Sequence, residues 1–373
     1  VGLWALVWYF LRLGATGFGG PIALAGYMQR DLVARGWITG QEFLEGLAFA
    51  QLMPGPLAAQ LAMWIGFIRF GFVGASLVGL VFILPAFVVV LLVAVLYVRF
   101  GGLPVVQALF YGIGPVVIAI VFHSAVRLAR ATVGKDWRLW LIFGILAAVT
   151  VFARAEFAVL FLVAGLVGIL IYSPHLFKKP PPLAPGVFLL PPLLAGTVSL
   201  PLLVSLGTFF VVAGAFTFGS GLAIVPFLHN GVVLQHHWLT ESQFLDAVAV
   251  GIISPGPVVI TSAFVGYLVA GFWGAVVSAG GVFLPVYLFV LFIGRVIIRY
   301  REAPVLKGFV KGATAAASGA IAGAAVILAQ GSIIDIPTAL IGAVSLVILW
   351  RFKIPEPLLV AVGAVIGILI HQG

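Results

Sequence analysis

The sequence predicts an all-α, polytopic membrane protein made of two homologous halves related as an inverted-topology repeat, with broken or re-entrant helices. Three observations predict it. The apolar content is too high for a water-facing surface, a series of motifs returns after about 200 residues, and equivalent loops carry opposite charge biases.

Of the 373 residues, 63% are apolar and 8% charged, with a mean hydropathy of +1.28. A soluble domain runs at about 45–50% apolar and about 25% charged. A soluble enzyme, a nucleic-acid-binding domain and a disordered chain are therefore excluded. Runs such as Phe72–Val98 and Phe157–Tyr172 are continuous rather than alternating, which fits spanning helices and not barrel strands. At roughly 20 apolar residues per span, the length allows about ten to fourteen membrane segments. The 19 basic residues outnumber the 10 acidic ones and sit mainly between apolar runs, the pattern of cytoplasmic loops. Cysteine is absent, so disulfides and thiolate-held metals are impossible. The first apolar run lacks a basic flank and a cleavage site, so no signal peptide is expected. No Walker motif, nucleophile elbow, zinc helix motif or dinucleotide fingerprint occurs, which leaves an ATP-driven pump or an enzyme without support. No cofactor or metal is expected.

The repeat is an ordered series. Trp37, Thr39, Glu42, Phe43 and Leu44 return as Trp238, Thr240, Gln243, Phe244 and Leu245. Pro54-Gly55-Pro56 returns as Pro255-Gly256-Pro257, Gly71-Phe72 as Gly271-Phe272, Leu84-Pro85 as Leu284-Pro285, and Glu156 as Glu356. The first half spans 1–177 and the second 201–373. Between them, 178–200 opens on Lys178, Lys179 and three prolines, which favour an extended linker. The stretch Arg127–Arg138 holds four basic residues, whereas the equivalent Ile327–Thr338 has none; the loops before them reverse the bias, with Arg99 against Arg295, Arg299, Arg301, Lys307 and Lys311. If basic loops face the cytoplasm, the halves are inserted upside down relative to each other.

Thr39 with Glu42 and Thr240 with Gln243 are capping boxes that start helices running into each Pro-Gly-Pro. Proline lacks the donor that a helix interior needs, glycine lets the chain deviate, and proline suits the start of the next helix. Residues 40–70 are thus two half-helices of roughly 20 Å each. A re-entrant hairpin, which keeps Arg30, Arg35 and Arg69 on one side, is favoured over a continuous span. Gly19-Gly20-Pro21 and Gly219-Ser220-Gly221 look like a second pair of breaks. Breaks inside hydrocarbon survive where they face protein or a wet cavity, and exposed helix starts present N–H groups to an anion. The candidate lining is Gly19, Gly20, Pro21, Pro54, Gly55, Pro56, Gly219, Ser220, Gly221, Pro255, Gly256 and Pro257. Gln60, Ser254 and Thr261 add side-chain donors, and Arg30 adds positive charge. Asp31, Glu45 and Asp246 are candidates for coupling or gating, although carboxylates near helix starts are also simply stabilising. His123 reads as a hydrogen-bonded histidine. Gly319, Gly323, Gly363 and Gly367 read as close-packing positions.

Phe18-Gly19-Gly20-Pro21, Trp37 with its capping box, Pro54-Gly55-Pro56 followed by Gln60, Phe218-Gly219-Ser220-Gly221 and Pro255-Gly256-Pro257 together resemble the chromate transporter family in its long, two-domain form, over essentially the whole chain. The resemblance implies a multi-pass protein of a prokaryotic inner membrane that exports chromate as a resistance mechanism, driven by an ion gradient or membrane potential, with competition by sulfate. The chain departs from the family at Leu57-Ala58-Ala59, where hydroxyl residues are usual, and at His229-Asn230, where an acidic-basic pair is common; Thr261 and Ser262 keep the hydroxyls in the second half. The expected partners are chromate or a related divalent oxyanion and the lipid bilayer, with a homodimer left open. A passive anion channel, a sulfate-selective transporter and a membrane scaffold are the alternatives.

Overall fold

The structure, a computed structural model, describes residues 1–18, 20–153, 158–172, 200–217, 221–300, 302–352 and 354–371. Among these residues all regular structure is helical. The first half runs α1 (Leu3–Thr16), α2 (Gly20–Ala34), α3 (Gly40–Leu52), α4 (Leu57–Phe100), α5 (Pro104–Val133), α6 (Trp137–Ala153) and α7 (Ala158–Tyr172). The second runs α8 (Leu200–Ala215), α9 (Ile224–Leu228), a π-helical stretch His229–Gln235, α10 (Glu241–Ile253), α11 (Thr261–Leu288), α12 (Gly294–Tyr300), α13 (Pro304–Ser332), α14 (Ile336–Arg351) and α15 (Glu356–Ile370). Glu156 and the linker, apart from Leu200, lie outside the described residues.

Segment length and surface chemistry place these helices in lipid. Leu57–Phe100, Pro104–Ala131, Val258–Ile293 and Pro304–Ser332 are long and apolar enough to cross a membrane, and shorter apolar helices accompany them. Large apolar side chains face outward, with Trp4 75% and Phe152 87% exposed. Water would penalise such a surface, whereas lipid tails solvate it. The protein is a multi-pass membrane protein.

Inside, backbones pack closely through small residues, as the sequence predicts for α13 and α15. A Cβ at Gly319 would lie 2.2 Å from the Phe143 carbonyl oxygen, and one at Gly367 would lie 2.3 Å from that of Ala108. In lipid such close van der Waals contact takes over the role that apolar burial plays in water. At Gly112 a Cβ would come within 2.1 Å of the Gly363 carbonyl oxygen. Gly112→Val is therefore expected to wedge α5 from α15 at a cost of about 1–3 kcal/mol, read as a lower melting temperature in detergent. Gly144→Ala, with open space at its Cβ, should not lower it, since alanine suits a helix interior better than glycine.

The halves exchange helices. α1 packs on α4, α8 packs on α11, and α4 and α11 pack on each other. However, α5 lies against α14 and α15 of the second half, while α13 lies against α6 and α7 of the first. Phe143 faces Gly319 and Ala147 faces Gly323, so α6 and α13 run parallel. The short turn between α5 and α6 reverses the chain, which makes α5 antiparallel to α13. Gly114 of α5 accordingly meets Ser332 at the end of α13.

Both capping boxes form. Glu42 N donates to Thr39 Oγ1 at 3.1 Å and Thr39 N donates to Glu42 Oε2 at 2.7 Å; Gln243 and Thr240 repeat the pair at 3.2 and 3.0 Å. After each helix the chain breaks and turns back. Arg69 Nη2 reaches Glu42 Oε2 at 2.6 Å, and Trp64 stacks on Phe49 at 5.7 Å between ring centres. Residues 57–69 of α4 thus lie antiparallel to α3. A second reversal follows at Phe70-Gly71, where Gly71 has φ +58°, and brings Gly74 against Gly66 and Gly79 against Met63. α11 repeats it at Ala270-Gly271, with Gly274 against Gly266.

Candidate functional site

Each Pro-Gly-Pro break is bonded to the residue two positions before the glycine segment of the opposite half. Gly55 N donates to the Thr217 carbonyl at 2.5 Å, and Gly256 N donates to the Gly17 carbonyl at 3.1 Å. Thr217 and Gly17 are themselves one repeat apart. Gly55, at φ +132°, and Gly256, at φ +85°, occupy backbone space that L side chains rarely adopt. Their neighbours match as well: Gly55 faces Val286 and Gly256 faces Ala86, each next to the proline inside the opposite long helix. Pro54 is half-buried, whereas Gly55, Pro56, Ser254, Pro255, Gly256 and Pro257 are buried.

This arrangement changes the donor inventory that the sequence suggests. The amides of Gly55 and Gly256 are not open to a ligand, because each holds the opposite half. The Ser254 hydroxyl donates to the Gly251 carbonyl at 2.9 Å and the Thr261 hydroxyl to that of Val258 at 2.8 Å, so both protons are engaged locally. Gln60, fully buried, donates from Nε2 to the Pro54 carbonyl at 2.6 Å. One further N–H remains on that nitrogen, and Gln60 Oε1 is buried without a partner. Pro56 precedes α4 and Pro257 precedes the short helical turn Val258–Ile260, neither with a side-chain cap. The first N–H groups of a helix have no acceptor within it, so these starts retain donors.

The glycine segments are partly visible. Gly20 begins α2 and Pro21 is half-buried beside it, while Gly221 is buried, its Cβ position 3.5 Å from Val258 Cβ. Gly19, Gly219 and Ser220 lie outside the described residues. Arg30 is not brought to the breaks. It sits about 15 Å along α2 from Gly20, its side chain 70% exposed, paired with Asp31 at 2.8 Å. That guanidinium holds the Asp31 carboxyl below its usual range. His123, expected to be hydrogen-bonded, keeps Nδ1 buried without a partner.

Glu45 and Asp246, equivalent in sequence, occupy different surroundings. Glu45 lines a cleft of about 280 Å³ with Glu42, Trp64, Ile68 and Ile298. Asp246 is 7% exposed, and its Oδ2 accepts the Tyr97 hydroxyl at 2.6 Å. Sequence reasoning misses Tyr97, Thr217 and Gly17. A polar tip on an otherwise apolar run is the signal that marks Tyr97; the other two contribute only backbone carbonyls and leave none.

The chromate transporter family matches residues 4–169 and 204–368, two stretches one repeat apart. The chromate transport protein of Cupriavidus metallidurans is 52% identical over 98% of this chain and 92% of its own length. A probable chromate transport protein of Synechococcus elongatus is 48% identical over 98% of this chain and 94% of its own. The chromate transport protein of Pseudomonas aeruginosa is 31% identical over 92% and 86%. No solved structure matches the chain.

Proposed function

This chain belongs to the chromate transporter family, and on that premise we propose that it is a secondary transporter that exports chromate from a prokaryotic cytoplasm, with sulfate as a competitor. The observation that carries the reading is the reciprocal bonding of each Pro-Gly-Pro break to the opposite half, at Thr217 and at Gly17. It supports a meeting of the chain interruptions at the repeat interface, where transporters of repeated design hold their substrates. The antiparallel α5 and α13 support halves 1–177 and 201–373 inserted in opposite senses. The folded-back pairs of α3 with residues 57–69, and of α10 with residues 258–269, support re-entrant hairpins.

In this reading the oxyanion is held by the N–H groups that start the helices after Pro56 and Pro257 and by the second N–H of Gln60. Gly20, at the start of α2, adds its N–H to this set. Backbone dipoles accept a doubly negative tetrahedron without a buried countercharge. Arg30 and Asp31 act at the entrance rather than on the bound ion, and Glu45 and Asp246 act on access. Everted vesicles carrying the protein should accumulate chromate down an imposed gradient, and preloaded chromate should accelerate entry of labelled chromate. Sulfate should reduce both. Uptake without acceleration from the far side would identify a channel, and no uptake would end the transport reading.

A further inference from the structure

Positions 45 and 246 are one repeat apart, six residues into the helix that each capping box starts. In a protein whose halves are exchanged, equivalent loci are expected to match, yet these two differ. Beside Glu45 there is an open cleft, and one of its walls is Ile298. Beside Asp246 the space is filled by Tyr97, packed edge-on to Phe110 at 5.5 Å and Phe264 at 5.3 Å between ring centres. The residue one repeat after Tyr97 is Ile297, next to the cleft-lining Ile298. The same locus is thus open in one half and shut in the other. The shut one is closed by a hydrogen bond between the halves, from α4 to α10.

Among the described residues the shut carboxyl has no countercharge. Tyr97 of α4 is the one titratable group, among the described residues, that interacts with Asp246. α5, α11, α13, α15, the turn Val258–Ile260 and the stretch His229–Gln235 also pack against α10, and among the described residues none brings a charged or titratable side chain to the Asp246 carboxyl. His229 is turned instead to Glu241 at 2.8 Å. A carboxylate removed from water with no cation is costly, whereas its neutral acid needs only hydrogen bonds. Tyr97 donates to Oδ2, and Oδ1 is left to carry a proton.

We propose that Asp246 is a proton-binding site that controls access on its side of the transporter. With the proton on Oδ1, the Tyr97–Asp246 contact closes; when the proton leaves to water, the charged carboxylate requires hydration and the contact opens. Tyr97 is a positioning residue that holds the neutral carboxyl in the shut state. This inference rests on the two-sided transporter reading above, but its test does not require chromate to move.

The chain has no cysteine, so single cysteines report access. Val250→Cys lies one helical turn from Asp246 and is 2% exposed, whereas Ile334→Cys at 69% exposure is the control for the thiol's own pH dependence. In purified protein, the ratio of Val250→Cys to Ile334→Cys labelling by a hydrophilic thiol reagent is expected to rise about tenfold or more between about pH 5 and about pH 9. Adding Asp246→Asn, a permanently neutral side chain, should hold the ratio low and flat, while Asp246→Glu should restore a rise. Tyr97→Phe should raise the ratio at the acid end, where the parent is shut. A flat ratio in the parent overturns the proposal, as does an unchanged rise in Asp246→Asn. Should Asp246→Asn fail to give a monodisperse protein, Tyr97→Phe decides: labelling at the acid end no faster than in the parent overturns it. Gated labelling in a protein that moves no chromate would instead sink the transporter reading alone.

Discussion

Gly55→Val and Gly256→Val are each expected to abolish chromate uptake in everted vesicles while the protein still reaches the membrane. Gly55 holds φ +132° and Gly256 φ +85°, and a β-branched residue in such space is strained by about 1–3 kcal/mol. Position then adds to conformation. A Cβ at Gly55 would lie 2.7 Å from Gln60 Nε2 and 2.9 Å from Val286 Cγ2, so the loop or both neighbours must move. Moving the loop breaks the bond to the Thr217 carbonyl and displaces the Gln60 amide. At about 2–4 kcal/mol in all, the native loop geometry would be depleted about 30-fold or more. At Gly256 the nearest atom is Ala86 Cβ at 3.2 Å, so Gly256→Ala should retain more uptake than Gly55→Ala. Gly26→Ala, with open space around it, is the control and should transport normally. Immunoblots of the same vesicles separate lost activity from lost protein. Wild-type uptake by both valine variants would remove the breaks from the mechanism.

Cysteines placed at Lys135 and Ile334 should react with an impermeant thiol reagent from opposite faces of the membrane. Lys135 follows the end of α5 and Ile334 the end of α13, and both are exposed. Because α5 and α13 are antiparallel, those ends point in opposite directions. The first lies among Arg127, Arg130 and Arg138, so it should label only from the cytoplasm. The second has no basic neighbour within the equivalent stretch and should label only in intact cells or right-side-out vesicles. The contrast is all-or-none. Labelling of both from one side would refute the inverted arrangement of the halves.

The breaks and caps are legible in the sequence because proline, glycine and threonine act on their own backbone or on one a turn away. The capping boxes at Thr39 and Thr240 form as written, and each Pro-Gly-Pro ends its helix. The small residues of α13 and α15 are legible for a similar reason, since a missing side chain can only invite a close neighbour. What sequence alone does not carry is the choice of partner across the fold. That Gly55 N goes to the Thr217 carbonyl depends on a contact between halves, and every residue offers the same carbonyl. The charge on Arg30 suggests a role at the anion, but the length of α2 carries it out to Asp31 and solvent. Glu45 and Asp246 read alike until Tyr97, 149 positions from Asp246, distinguishes them.

The lodging of α5 among α14 and α15, and of α13 among α6 and α7, has a consequence for biogenesis. A ribosome that has completed α7 has delivered a bundle whose longest uninterrupted helix still waits for neighbours that have not been translated. Neither portion has all its packing partners until the other is made, so maturation is expected to finish only after synthesis of α15. Severing the polypeptide within 178–200 should therefore yield two fragments that are degraded when made separately and rescue each other when made together.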